Sequence, residues 1–430
     1  MFDPSGLVQV DPDADESALL LRIAQLEQVK SAAAAGQARA AARLDATRRA
    51  REAAAGVPAA KRGRGLAGEV ALARQDSPNR GGQHLGLAKA LILEMPHTLA
   101  ALEAGVLSEW RATLLVRESA CLDVEDRRIL DAEMCAELTA LAGMGDQRLV
   151  AKAKTIAYRL DPHAVVARAA NAVQDSRVTI RPVPDCMARV TVLLPMAQGV
   201  AVYAAAHQEA NRCGDGRSRG QVMTDTIFER VTGRPAPAPV PVPVAVNLVI
   251  SDQTLLGGDD SPAVVDGYGP VPAQVARELV SDAVTDARSR ATLRRLYRHP
   301  GSGALVAMQS RARRFPTALA MFIRLRDQTC RTPYCDAPIR HTDHARPAAR
   351  GGATSALNGL GLCAQCNYTK EAPGWRVHTF DDNGTHTALF VTPTGVVYRS
   401  TAPPPPGTVD MYHSQTELRL ATEFALPHAA

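Results

Sequence analysis

The sequence predicts a mainly α, multidomain chain, and three observations lead there. A length of 430 residues exceeds one compact domain and suggests two or three. Hydrophobic residues make up 46% but aromatics only 4%, and much of the apolar share is alanine, which suits finely packed helices. Apolar residues also recur at helical spacing through most of the N-terminal half, with a single pair of strand-like runs between them.

The elements follow in order. Residues 14–55 read as one long helix, with Leu19, Leu20, Ile23, Leu26 and Val29 as an apolar stripe ahead of an alanine- and arginine-rich stretch. Helical patterns continue over 85–105, 108–120 and 124–143, and another helix is expected over 161–173, started by Asp161 and Pro162. The runs "SRVTIRP" (176–182) and "MARVTVLLP" (187–195) read as strands joined by a turn at Pro184 and Asp185, forming a small β insertion. Helices over 196–212 and 218–232 come next. Alternating prolines at 235–243 favour a semi-rigid extended spacer, and a domain boundary is expected there. Beyond lie a short strand (244–250), a Gly/Asp-rich loop (257–269) and helices near 272–298 and 316–326. The expected domains are 1–65 (long helix and basic connector), 66–233 (helical), 234–243 (linker), 244–326 (connecting α/β segment), 327–376 (cysteine-bearing domain) and 377–430 (short strands and a Pro-rich tail).

The net charge of +5 is mild, but its distribution is not. Residues 288–326 hold ten arginines and no acid, so Arg311, Arg313, Arg314, Arg324 and Arg326 are candidate phosphate contacts. The N-terminus is acidic and lacks a basic segment followed by a long apolar run, which predicts no signal peptide. No window reaches the ~18 apolar residues of a membrane span. Four clustered cysteines among eight argue for a metal in a reducing compartment, so a cytoplasmic location is expected.

Chemistry concentrates in that cluster. Cys330 and Cys335, then Cys363 and Cys366, form two short hooks around one small supersecondary unit, a spacing that suits tetrahedral Zn(II). Cys121, Cys135, Cys186 and Cys213 read as core residues. Between the hooks stands "DHARPAARGG" (343–352). A histidine near neutrality can take a proton from water, and a carboxylate with an amide oxygen suits Mg(II).

Asp343-His344, Pro347, Gly351-Gly352, Asn358, Leu362-Cys363, Cys366-Asn367 and Lys370 together resemble the HNH endonuclease family over about 50 residues. The resemblance implies a C-terminal ββα-metal (His-Me finger) domain that hydrolyses DNA, with His344 as general base. It implies Asp343 and Asn367 as ligands of a catalytic Mg2+ (or Mn2+), Asn358 as a catalytic-site residue that ties the loop and orients the base, and Lys370 as a phosphate contact. Zinc on the four cysteines would be structural and separate. The third motif position is asparagine here rather than histidine, and Gly359 stands where leucine is usual, which is expected to loosen the loop. His341 reads as a surface residue. The competing reading is a zinc-stapled DNA-binding protein that does not cut.

Residues 66–232 resemble the helical domain of unknown function 222 that commonly precedes HNH domains. The matching stretches include "AGEVALARQDSPNRGGQHLGLAKAL" and "LDPHAVVARAANAVQDSRVTIRPVPDCMARVTVLLP". That resemblance implies an architecture and not an activity. The isolated His84, His97, His163 and His207 read as structural or surface residues, and 85–116 could contain a helix-turn-helix around Gly105. Double-stranded DNA is the expected partner, no membrane is, and the long N-terminal helix could support a homodimer.

Overall fold

The structure, a computed structural model, describes residues 5–233, 235–236, 247–256, 258–285 and 314–404. It is mainly helical with four small antiparallel sheets. The chain divides into two compact units, Met1–Asn171 with Tyr368–Trp375, and Ala172–Asn367 with Arg376–Ala430. The division falls between Asn171 and Ala172 rather than in the Pro-rich stretch, most of which lies outside the described residues.

The first unit is all helix: α1 (Ser5–Val8), α2 (Glu16–Ala54), α3 (Leu66–Ala73), α4 (Pro78–Leu93), α5 (Pro96–Glu103), α6 (Glu109–Glu118), α7 (Val124–Cys135), α8 (Asp146–Leu160) and α9 (Pro162–Ala172). The long N-terminal helix expected from the sequence is α2. It starts where the Asp15 carboxylate accepts the Ala18 N–H at 2.7 Å, satisfying an orphan donor of the first turn. Its stripe of Leu19, Leu20 and Ile23 stays exposed, and burial begins only at Ser31, where small side chains allow close approach. Ala34, Ala35 and Ala38 pack there against Leu87, Leu91, Leu99 and Leu102. A second cluster joins Met95, Leu107, Leu115, Leu130, Met134 and Leu149.

Polar residues fix this helical stack. The buried Asp131 carboxylate accepts the His97 and Thr98 N–H groups at 2.7 and 2.8 Å, capping α5 from α7. Arg48 and Glu69 pair at 2.9 Å with both side chains buried. His84 is buried with Nε2 2.9 Å from the Asp76 carboxylate, a structural role as expected. Gly105, at φ +74°, makes the turn between α5 and α6. Among the described residues, no single helix is long and apolar enough to cross a membrane.

The second unit opens with β1 (Arg177–Val183) and β2 (Met187–Leu193), an antiparallel pair joined by Asp185 and Cys186, both at positive φ. Cys186, expected in a core, is exposed in this turn. The helices α10 (Met196–Arg212) and α11 (Arg219–Thr232) follow, and a capping box of Ser218 and Gln221 opens α11. β3 (Leu248–Val249), β4 (Ala263–Val265) and β5 (Gly269–Val271) make a three-stranded sheet beside α12 (Asp252–Leu256) and α13 (Ala273–Thr285). The Tyr268 hydroxyl donates to Met187 O at 3.0 Å, tying this sheet to the β1–β2 pair.

Then come α14 (Thr317–Asp327), β6 (His341–His344), β7 (Gly359–Leu362), α15 (Ala364–Lys370), and a meander of β8 (Arg376–Asp382), β9 (Thr385–Val391) and β10 (Val397–Thr401). The pairing of β6 with β7 puts Asp343 opposite Leu360 and His344 opposite Gly359. The order strand, strand, helix around the cysteines follows directly.

Candidate metal centre and hydrolytic site

The four cysteines meet. The sulfurs of Cys330, Cys335, Cys363 and Cys366 lie within 4.8 Å of one another, with Cys366 to Cys335 at 3.5 Å and Cys335 to Cys363 at 3.9 Å. A tetrahedral zinc with ~2.3 Å bonds to sulfur spaces its ligands about 3.8 Å apart, so the group could hold such an ion. The first hook closes on itself: the Cys335 N–H donates to Thr332 O at 3.0 Å, helped by the left-handed φ of +62° at Tyr334. The second hook sits at the start of α15, where the Cys366 N–H points at Cys363 Sγ at 3.4 Å. Crowding drives the thiols apart. Sulfhydryls of Cys330, Cys335 and Cys366 hold Cys363 far below its ordinary value, while hydrogen bonding with Cys330 first of all pushes Cys335 and Cys366 up.

Apolar residues close round the hooks. Leu360 and Leu362 of β7, Val377 of β8, and Ala388 and Phe390 of β9 form one cluster with the cysteines. The sequence showed the strands of the meander without showing that they cover the cysteine cluster.

His344 is buried at the end of β6. Its Nε2 lies 2.9 Å from Thr354 Oγ1, its Nδ1 lies 3.6 Å from Asp343 Oδ1, and Phe315 packs on the ring with centroids 4.6 Å apart. Asp343 is part-exposed on the same strand. Between the strands, Asn358 closes the loop: its Oδ1 accepts the Arg346 N–H at 2.9 Å, and its Nδ2 donates to Arg346 O and Ala353 O at 3.0 and 2.8 Å. Gly352 is obligatory in that loop, since a Cβ there would sit 1.8 Å from Arg346 O. Asn367 donates its N–H to Cys363 O, and its Oδ1 is buried without a hydrogen-bond partner among the described residues.

Several expectations need correction. Gly359 does not loosen the loop. A Cβ there would meet Ile323 Cδ1 at 2.3 Å and Phe315 Cε1 at 2.8 Å, so glycine lets α14 approach β7. Arg326 is not a phosphate contact, because it is 6% exposed and donates to Asp327, Ala356 O and Gly359 O. The Lys370 side chain is likewise buried, with its ammonium on Glu371, which leaves no open face for phosphate. Arg324 pairs with Asp266 at 3.1 Å while staying half-exposed, and Arg314 is exposed. Arg311 and Arg313 lie outside the described residues.

A buried network supports the site that no motif announced. Asp327, at the end of α14, accepts from Arg326 at 2.7 Å, Arg331 at 2.9 Å and the Gly361 N–H at 2.7 Å. Burial would raise this carboxyl, but the two guanidinium charges and the backbone donor hold it below its ordinary range. Arg331 runs on to His386 and Ser400, joining β9 and β10 to the first cysteine hook.

Burial, aided by the charge of Arg326, pushes His386 down from 6.5 to about 4. An imidazole held neutral in the fold contributes stability above its ordinary pKa. That contribution is lost as pH falls from about 6.5 through about 4, by on the order of 3 kcal/mol. Urea midpoints at pH 7 and pH 4.5 should show this loss, and His386→Gln should flatten part of it.

Comparison with known families places most of the chain. Residues 23–327 match the family described as "Domain of unknown function (DUF222)", and the chain belongs to that family. The match runs across the Pro-rich stretch and ends at Asp327, just before the first cysteine hook. The uncharacterized protein Rv3776 of Mycobacterium tuberculosis is 35% identical over 140 residues, covering 32% of this chain and 24% of that protein. The uncharacterized protein Rv2100 of the same organism is 34% identical over 139 residues, covering 31% of this chain and 22% of that protein. The matched region is thus less than a quarter of the length of these relatives. No solved structure matches the chain.

Proposed function

We propose that this DUF222-family chain is a metal-dependent HNH endonuclease that hydrolyses phosphodiester bonds of duplex DNA. The observation that carries the reading is the Asn367 amide oxygen, buried at the start of α15 with no partner among the described residues. Leaving such an acceptor unsatisfied costs about 1–3 kcal/mol, and a hard cation that takes oxygen ligands removes the cost. The part-exposed Asp343 carboxylate offers a second oxygen, so the donor pair fits Mg(II) or Mn(II) better than a soft metal. When bound, such an ion would supply Lewis-acid stabilisation of the phosphorane and the leaving oxygen.

The remaining steps belong to this chain's side chains. With Nε2–H donating to Thr354 Oγ1, the lone pair of His344 resides on Nδ1, which takes the proton of the attacking water. Asp343 Oδ1, 3.6 Å from Nδ1, stabilises the imidazolium that results. Phe315 and Thr354 fix the ring, and Asn358 holds the loop that follows it. Zinc on the four cysteines would be structural, clamping β6 and β7 to α15.

A second reading, a zinc-stapled module that binds DNA without cutting it, is favoured by one observation. His344 is 6% exposed, and a general base must reach water. The chain of residues 1–430, zinc-loaded, is expected to nick supercoiled plasmid at low salt with Mg(II) or Mn(II) and not without them. Intact plasmid in every metal, with DNA still bound, would decide for the second reading.

A further inference from the structure

The β1–β2 pair carries an unexplained charge arrangement. Its register places Arg181 opposite Arg189, Thr179 opposite Thr191 and Arg177 opposite Leu193 on one face, which ends at the turn in Val183 opposite Met187. Val178 opposite Val192 and Ile180 opposite Val190 occupy the other. Directly opposed like charges in a sheet destabilise it, because side chains at such positions stand only about 5 Å apart. Neither the Arg181 nor the Arg189 side chain has a hydrogen bond or ion pair with another described residue, and both residues are exposed. Arg177 touches only the backbone oxygen of Asp175. A ribbon of two strands is marginal alone, yet this one keeps a repulsive pair in its middle. An anion lying against that face would relieve the repulsion directly.

We propose that the Arg/Thr face of the β1–β2 ribbon docks into the major groove of duplex DNA, as a second contact surface outside the cysteine-stapled module. The choice of DNA among polyanions rests on the nuclease reading above. The shape favours a groove. A two-stranded ribbon fits a major groove about 12 Å wide, whereas a lipid surface would select the apolar face. Arg177 and Arg181, four residues apart on one strand, span roughly 13 Å, about four nucleotide rises along one DNA strand. Arg181 and Arg189 then neutralise phosphates from the two strands of the ribbon, and Thr179 and Thr191, the next pair on the same face away from the turn, face the base edges. The tie from the Tyr268 hydroxyl to Met187 O holds the turn end of the ribbon.

The test is binding of a labelled 30-bp duplex across a salt series with no divalent cation added, so that cleavage plays no part. The Arg181→Ala/Arg189→Ala variant should bind at least tenfold more weakly. Its slope of log affinity against log salt should be shallower by about 1.8, the loss of two phosphates. Arg181→Lys/Arg189→Lys should keep the slope, which separates lost charge from a misfolded hairpin. An RNA duplex of the same sequence, whose major groove is too narrow to enter, should show no dependence on these arginines.

Wild-type affinity and slope in the alanine variant would overturn the proposal even if the wild type nicks plasmid. Loss of binding in the variant, with no nicking by the wild type in any metal, would leave the ribbon in place and remove the nuclease. Equal losses on DNA and RNA would also overturn insertion into the groove.

Discussion

Cys366→Ser is expected to abolish bound zinc and to unfold the segment from Cys330 through β10. The four sulfurs sit inside the same cluster as Leu360, Leu362, Val377, Ala388 and Phe390, so a metal held by them and the small core would stand or fall together. That cluster has one fully buried aromatic, Phe390, with a partly buried Tyr398 against it, and short strands of four to seven residues around it. So small a core supplies only a few kcal/mol, whereas structural zinc contributes on the order of 10 kcal/mol to a peptide that folds around it. Loss of one thiolate leaves an incomplete tetrahedron and a buried hydroxyl in its place. Metal analysis should give one zinc per wild-type chain and none in the variant, and limited proteolysis should cut the variant within 330–401. A variant that keeps its zinc and its protection would contradict the assignment.

Asp327→Ala should be nearly as severe, at about 3–5 kcal/mol of stability in denaturant unfolding. It removes the counter-charge of two buried guanidinium groups, Arg326 and Arg331, and the acceptor of the Gly361 N–H. Neither arginine can relax to water, since Arg326 is clamped to Ala356 O and Gly359 O, and Arg331 to Ser400 O. Asp327→Asn keeps the shape and one acceptor oxygen and should cost less, though both charges stay uncompensated. A change below about 1 kcal/mol for alanine would mean that the network does not support the hairpin.

The sequence was most legible where local rules decide structure. The bounds of α2, α10 and α11 follow from Asp15, Pro195 and the Ser218/Gln221 box, all short-range signals. The β1–β2 pair follows from alternation and a three-residue turn, Pro184 to Cys186. The cysteine spacing announced a metal-competent cluster, and the sulfurs do converge.

Long-range partners were not legible. Arg326 belongs to an acid-free run and reads as a surface cation, but Asp327, the next residue, neutralises it within the core. Gly359 reads as a loosened loop, because its reason for being glycine is Ile323, distant in sequence. Thr354 carries no motif at all, yet with Phe315 it holds the His344 ring so that Nδ1 faces Asp343. The division after Asn171 was equally hidden, since α9 ends there without a proline or glycine to mark it.

The most direct test of the nuclease assignment is plasmid nicking by wild type and His344→Ala, side by side in Mg(II) or Mn(II), with zinc content and DNA affinity measured on both. Nicking by the variant should fall at least about a hundredfold, the usual contribution of a positioned base, while zinc and DNA binding are retained. Nicking at the wild-type rate by His344→Ala, or no nicking by either protein in any metal, would contradict the nuclease assignment.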